Sequence, residues 1–124
     1  MTSEEDCAAS QAAASHGMLM TTAATRDEAA KIAKLLIEEN LAACVQLLPI
    51  ESFYIWHGKS QNEAEVLLLV KTRRHLFNTA IARIKTVHSY ALPEIVGVPF
   101  TAGLAEYLSW IDEMTNNDQP ASIE

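Results

Sequence analysis

The chain carries two cysteines in 124 residues, and no apolar run approaches the roughly 20 residues that a helix needs to cross a bilayer. Cys7 lies in a polar stretch and Cys44 in an apolar one, with no C-x-x-C pair, so no disulfide framework is encoded. Cys44 reads as a small buried hydrophobe, and Cys7 as an exposed thiol of no consequence. Positive charge is scarce as well. Nine Lys and Arg against sixteen Asp and Glu leave a net charge of −7, and the basic residues are scattered apart from Arg73-Arg74. That balance works against binding nucleic acid, which rests on basic side chains neutralising phosphates. A negative surface attracts cations without selecting among them, and solubility accounts for it as well as function does. The sequence also lacks a glycine-rich phosphate loop, an H-E-x-x-H motif and any visible pairing of a nucleophile with a base, so it supports no enzyme class. Met1 to Asp6 is acidic where a secretory signal would be basic, and the expectation is a soluble, cytoplasmic protein.

A chain of this length with 49% apolar residues fits one domain with one core. Residues 1–16 are Ser, Ala, Glu and Gln without an apolar period and are expected to form a disordered tail, with the folded domain over 17–114 and a frayed tail over 115–124. Met18 to Thr22 reads as a short strand. Thr25 followed by Asp27-Glu28 is a helix start, and Ala29, Ile32, Ala33, Leu35 and Leu36 recur at helical spacing as far as Asn40, a residue suited to a left-handed cap. Leu76, Phe77, Ala80, Ile81, Ile84 and Val87 mark a second amphipathic helix over roughly 75–87. Glu94 to Pro99 is a strand, and a last helix from about Gly103 is expected to turn Leu104, Tyr107, Leu108 and Ile111 inward.

Between the first two helices lies a hairpin whose arms are each about twice the usual 5–6 residues of a strand. The outgoing arm runs from Cys44 to His57, the turn is expected at Gly58-Lys59, and the return arm runs from Asn62 to Thr72. The return arm has Ala64, Val66, Leu68 and Val70 on one face and Leu67 and Leu69 on the other, so both faces call for cover. A small domain cannot cover arms of that length, and the tip residues Phe53, Ile55 and Trp56 must be covered from outside, most simply by another copy. Pro49 cannot donate to a ladder and predicts a bulge or bend. The order strand, helix, strand, strand, helix, strand with an added C-terminal helix predicts an α+β, ferredoxin-like βαββαβ sandwich with an extended hairpin between its second and third strands. Right-handed crossovers place the first strand between the fourth and the return arm, with the outgoing arm at an edge.

Three clusters in this order resemble the CutA divalent-cation tolerance family. They are Leu41-Ala42-Ala43-Cys44 leading through Pro49 to Ser52-Phe53-Tyr54-Ile55-Trp56-His57-Gly58-Lys59, then Glu65 with Lys71-Thr72, then His88-Ser89-Tyr90 before Pro93-Glu94-Ile95, with Tyr107-Leu108-Ser109-Trp110 closing the chain. The resemblance runs from about Met18 to Ile111. It implies a homotrimer assembled through the hairpin, a role in the response to metal ions and binding of Cu²⁺ or other divalent cations, and no catalytic activity is established for the family; with the departures that follow, binding in this chain is expected to be weak, with no ion tightly held. Some bacterial members carry a cysteine in the first strand, proposed as a copper ligand, and two adjacent histidines in the loop after the second helix. This chain has Thr21 at the first position and Val87-His88 at the others, so only His88 is retained.

His88 ends a helix, where either a capping role or a ligand role is open to it, and one imidazole cannot hold Cu²⁺ or Zn²⁺ alone. Further donors would come from another copy, with Glu94 and Glu65 as candidates. His57 and His75 read as solvated. Glu65 and Lys71 stand among apolar residues on one face of the return arm and must reach an edge, a partner charge or a cleft between subunits, with an intersubunit ion pair as the simplest account. Tyr54, Trp56, Tyr90 and Trp110 combine apolar area with a polar handle and suit intersubunit contacts. Two other readings stay open beside a metal-responsive trimer. One is a trimeric small-molecule sensor of similar subunit fold, and the other is an anchoring trimer without a ligand.

Overall fold

The structure is a computed structural model that describes residues 15–116. Its elements are β1 (His16–Ala23), α1 (Arg26–Glu38), β2 (Cys44–Trp56), β3 (Lys59–Arg73), a 3-10 turn (Arg74–Leu76), α2 (Phe77–Val87), β4 (Ile95–Pro99) and α3 (Ala105–Met114). The four strands form one antiparallel sheet in the order β2-β3-β1-β4, the expected ferredoxin-like arrangement with the long hairpin at one edge.

Register assigns every residue to a face. Leu19 of β1 and Leu68 and Val70 of β3 share one face with Ala23, and α1 and α2 cover them with Ala29, Ile32, Leu36, Ala80 and Ile84, all buried. The opposite face carries Met18, Met20, Leu48, Ile50, Leu67, Leu69, Val96 and Val98. Among the described residues only α3 crosses it, at one end, where Leu108 and Ile111 are buried with Ala43 and Phe100 packed against them.

Local chemistry explains the element ends. The Thr25 hydroxyl accepts the Glu28 N–H at 3.1 Å and opens α1. Asn40 adopts a left-handed φ of 57° at the other end, where its N–H bonds the Ile37 carbonyl and the Leu41 N–H reaches Leu36, a Schellman closure. The hairpin turn differs from expectation by one residue. His57 and Gly58 are the two turn residues, both with positive φ, and Trp56 pairs with Lys59. Two positive φ values match the right-handed twist of the flanking strands.

Pro49 causes no bulge. The β2–β3 register is continuous from Cys44↔Lys71 to Trp56↔Lys59 with Pro49 opposite Val66. On an edge strand a missing N–H that would point outward breaks no ladder bond. The last helix also differs from expectation, since Leu104 and Tyr107 are exposed and only Leu108 and Ile111 turn inward. Most of both expected tails lies outside the described residues, but His16 and Thr115 do not. His16 is a buried residue of β1 that donates to Asp112 Oδ1 at 2.7 Å, and the Arg73 guanidinium bonds the buried Thr115 through its hydroxyl and carbonyl, both at 2.8 Å.

Candidate ligand cleft on the open sheet face

Glu65 is the centre of the site. It is a carboxylate on β3 with 9% of its surface exposed, opposite Ile50 of β2 and on the face that α1 and α2 leave uncovered. Burying a carboxylate costs free energy unless it is paired, and its partner comes from the loop between α2 and β4, where the Tyr90 hydroxyl donates to Glu65 Oε2 at 2.7 Å. Burial and that bond to a carboxylate push the Tyr90 phenol well above its usual value of 10. One strand repeat toward the tip, the Tyr54 phenol is likewise raised, by its hydrogen bond to Glu63. Both phenols keep their protons and donate hydrogen bonds to carboxylates.

The loop holding Tyr90 is tied down on two sides. The His88 imidazole has no exposed surface, accepts the Tyr90 N–H at Nδ1 (3.1 Å) and donates from Nε2 to the Thr22 carbonyl of β1 (2.7 Å). Glu28, in the first turn of α1, accepts the Ser89 N–H at 2.8 Å and the Ser89 hydroxyl at 2.9 Å, and also the Ala24 N–H at 3.3 Å. Burial acts to raise the Glu28 pKa, but the Ser89 and Ala24 hydrogen bonds and the nearby His88 outweigh it and hold it below its ordinary 4.5. α1 and β1 thus place Tyr90 over Glu65.

Together these groups line a cavity of about 970 Å³ between the hairpin and the loop, floored by Met20, Ile50 and Leu67. Among the expected site residues, Tyr54, Trp56, Glu65, Tyr90 and Glu94 meet here. Lys71 and Trp110 do not. Lys71 is six residues along β3 from Glu65, about 20 Å on an extended strand, and its Nζ sits 5.8 Å from the centre of the Tyr107 ring, which in turn packs at 5.6 Å on Trp110. His88 does not line the cavity. Both its nitrogens are committed to backbone partners, so as folded it has no lone pair for a metal. Thr21 is fully buried on the helix-covered face, its hydroxyl without a hydrogen-bond partner. Among the described residues no three His, Cys, Asp or Glu side chains converge closely enough to hold one ion. The donors among the described residues of one chain do not fit a preformed copper or zinc centre.

Sequence reasoning missed Glu28. The signal was present, because Thr25-x-x-Glu28 has the spacing of a capping box, but the bond from Glu28 to Ser89 spans 61 residues.

The family description "CutA1 divalent ion tolerance protein" matches residues 17–114, which include the whole hairpin and the Tyr90 loop. The chain belongs to the CutA family. A divalent-cation tolerance protein CutA of Archaeoglobus fulgidus is 44% identical over 98 residues, covering 79% of this chain and 96% of that one. A solved structure described as the periplasmic divalent cation tolerance protein CutA of the same organism superposes with a TM-score of 0.80 at 42% identity, covering 82% of this chain and 99% of that one. A chloroplastic CutA protein of Arabidopsis thaliana is 38% identical over 101 residues, covering 81% of this chain and 56% of its own length. CutA proteins thus carry descriptions that place them in more than one compartment. Among the described residues of this chain no helix is long and apolar enough to cross a membrane.

Proposed function

We propose that this CutA-family chain acts as a cytoplasmic homotrimer in the response to divalent metal ions, with no catalytic step, and that it binds Cu²⁺ and similar cations weakly and without selectivity. The observation that carries the assembly is the uncovered apolar surface. Phe53 and Ile55 are 74% and 76% exposed at the hairpin tip, and on the opposite face of the sheet Leu48 of β2 and Val96 of β4 are about half exposed. Large apolar side chains left exposed both at the tip and on the open face call for a partner surface. The family resemblance favours three copies. Weak binding follows from the donors, because the carboxylates near the cleft are spread out and His88 is engaged, so strong chelation would need ligands from more than one copy. The cleft over Glu65 favours a second reading, a trimer that binds a small molecule there.

Calorimetric titration with Cu²⁺ and Zn²⁺ tests the metal reading. Weak heats of similar size for both ions are expected, with His88→Ala altering stability more than affinity. Submicromolar, Cu²⁺-selective binding that His88→Ala abolishes would overturn it.

A further inference from the structure

We propose that His88 is a proton-sensitive latch: its neutral ring holds the Tyr90 loop against the open sheet face, and a proton on Nδ1 releases that loop. The consequence for assembly rests on the reading above that further copies close this face.

Two backbone groups fix the state of the ring. The Thr22 carbonyl can only accept, so Nε2, 2.7 Å away, carries a hydrogen. The Tyr90 N–H can only donate, so Nδ1, 3.1 Å away, is bare. The closed loop therefore takes the neutral Nε2–H tautomer alone. The side chain has no exposed surface, so water cannot replace either partner unless the loop moves.

A proton added at Nδ1 sets two donors against each other across the 3.1 Å contact. Another acceptor stands beside it. Glu28 Oε2 lies 3.9 Å from Nδ1, near enough to attract a cationic ring but beyond a hydrogen bond, and it already accepts the Ser89 N–H at 2.8 Å. To bond Glu28 the ring must give up the Tyr90 N–H, and the carboxylate must share what it gives Ser89. Both losses fall on consecutive residues of one loop, whose hold on the sheet is the Tyr90 hydroxyl on Glu65 at 2.7 Å. The titratable groups around the latch come from α1, the loop and the hairpin: Glu28 beside the ring, Tyr90 packed on it at 4.9 Å, and Glu65, Glu63 and Tyr54 facing Tyr90. The carboxylates favour a charged ring, and the Tyr90 N–H opposes one only while the loop is closed, so protonation and opening go together.

The test is amide hydrogen exchange of the full chain, corrected for the pH dependence of exchange in an unfolded peptide, between about pH 7.5 and 5.5, where an ordinary imidazole titrates. Protection of the Ser89 and Tyr90 amides should fall by about tenfold or more toward the lower pH, while that of Leu36 in the core helix holds. His88→Gln, whose amide offers a donor and an acceptor but takes up no proton, should show no such fall. Glu28→Gln, which keeps an acceptor for Ser89, should move the fall to lower pH. Nitrogen NMR of the wild-type histidine rings at the upper pH should report the Nε2–H tautomer for His88. An Nδ1–H or doubly protonated ring there, protection independent of pH, an equal fall in His88→Gln, or an unmoved fall in Glu28→Gln would overturn the proposal. Sedimentation of the same samples keeps the two readings apart, since a monomer at both pH values refutes the assembly and leaves the latch to the exchange result, whereas a trimer with a pH-independent Tyr90 amide refutes the latch alone.

Discussion

The two ends of the β2–β3 hairpin have the same kind of sequence and opposite surroundings. At the base, Leu68 and Val70 are completely buried under α1 and α2. At the tip, Phe53 and Ile55 keep about three quarters of their surface exposed, although the ladder runs unbroken through both regions. Backbone pairing therefore does not need a core above it, but an apolar tip does. What stabilises the base is packing within one chain, and what would stabilise the tip is packing between chains.

The largest effect should come from the base. Leu68→Ala removes a fully buried side chain from the main core and should cost about 2–5 kcal/mol in chemical denaturation, whatever the oligomeric state. Trp56→Ala at the tip should instead cost roughly 2–4 kcal/mol of assembly free energy, the range of an interface anchor, with little change in protomer stability. The ring is 43% exposed in one chain and meets only its neighbour His57 edge-on at 4.7 Å among the described ring contacts. Equal losses of protomer stability in the two variants would erase the distinction between base and tip.

Between these extremes lies the loop that borders the cleft. Glu28→Ala strips acceptors from the Ser89 and Ala24 N–H groups and should cost about 1.5–3 kcal/mol at neutral pH, the usual range for hydrogen bonds to a charged group. Because the folded-state pKa of Glu28 lies below 4.5, its contribution is fully present above that pH and fades as pH falls through the lower folded value. Stability curves of wild type and Glu28→Gln should converge in that acid window, and parallel curves down to the acid limit would show that Glu28 is not the titrating group. The smallest effect is expected for Tyr90→Phe, about 0.5–1.5 kcal/mol for one hydrogen bond. Tyr90 also gives an optical signature. Its raised phenol contributes stability that is intact below pH 10 and is lost as pH rises toward the higher folded value, so ultraviolet titration should show this tyrosine ionising well after a free phenol.

Much of the fold was legible because local signals and topology agreed. The apolar spacing of Ile32 and Leu36, the left-handed Asn40, and the alternation along β3 each fix an element whose neighbours the crossover rule then orders. The turn slipped by a residue because a histidine took a positive φ that the sequence suggested for Gly58 alone. Leu104 and Tyr107 looked inward on spacing, but α3 lies across one end of the sheet and buries only Leu108 and Ile111. The cleft was half visible. Tyr54, Glu65, Tyr90 and Glu94 stood out as residue types, whereas the setting of His88 depends on contacts 66 residues apart in sequence, which no local pattern encodes.

The central claim is that the uncovered face and tip are closed by further copies of the chain, and sedimentation equilibrium at micromolar concentration tests it most directly. The account predicts a single species at three times the 13.6 kDa chain mass, converted to smaller species by Trp56→Ala. A stable, soluble monomer at that concentration would contradict it.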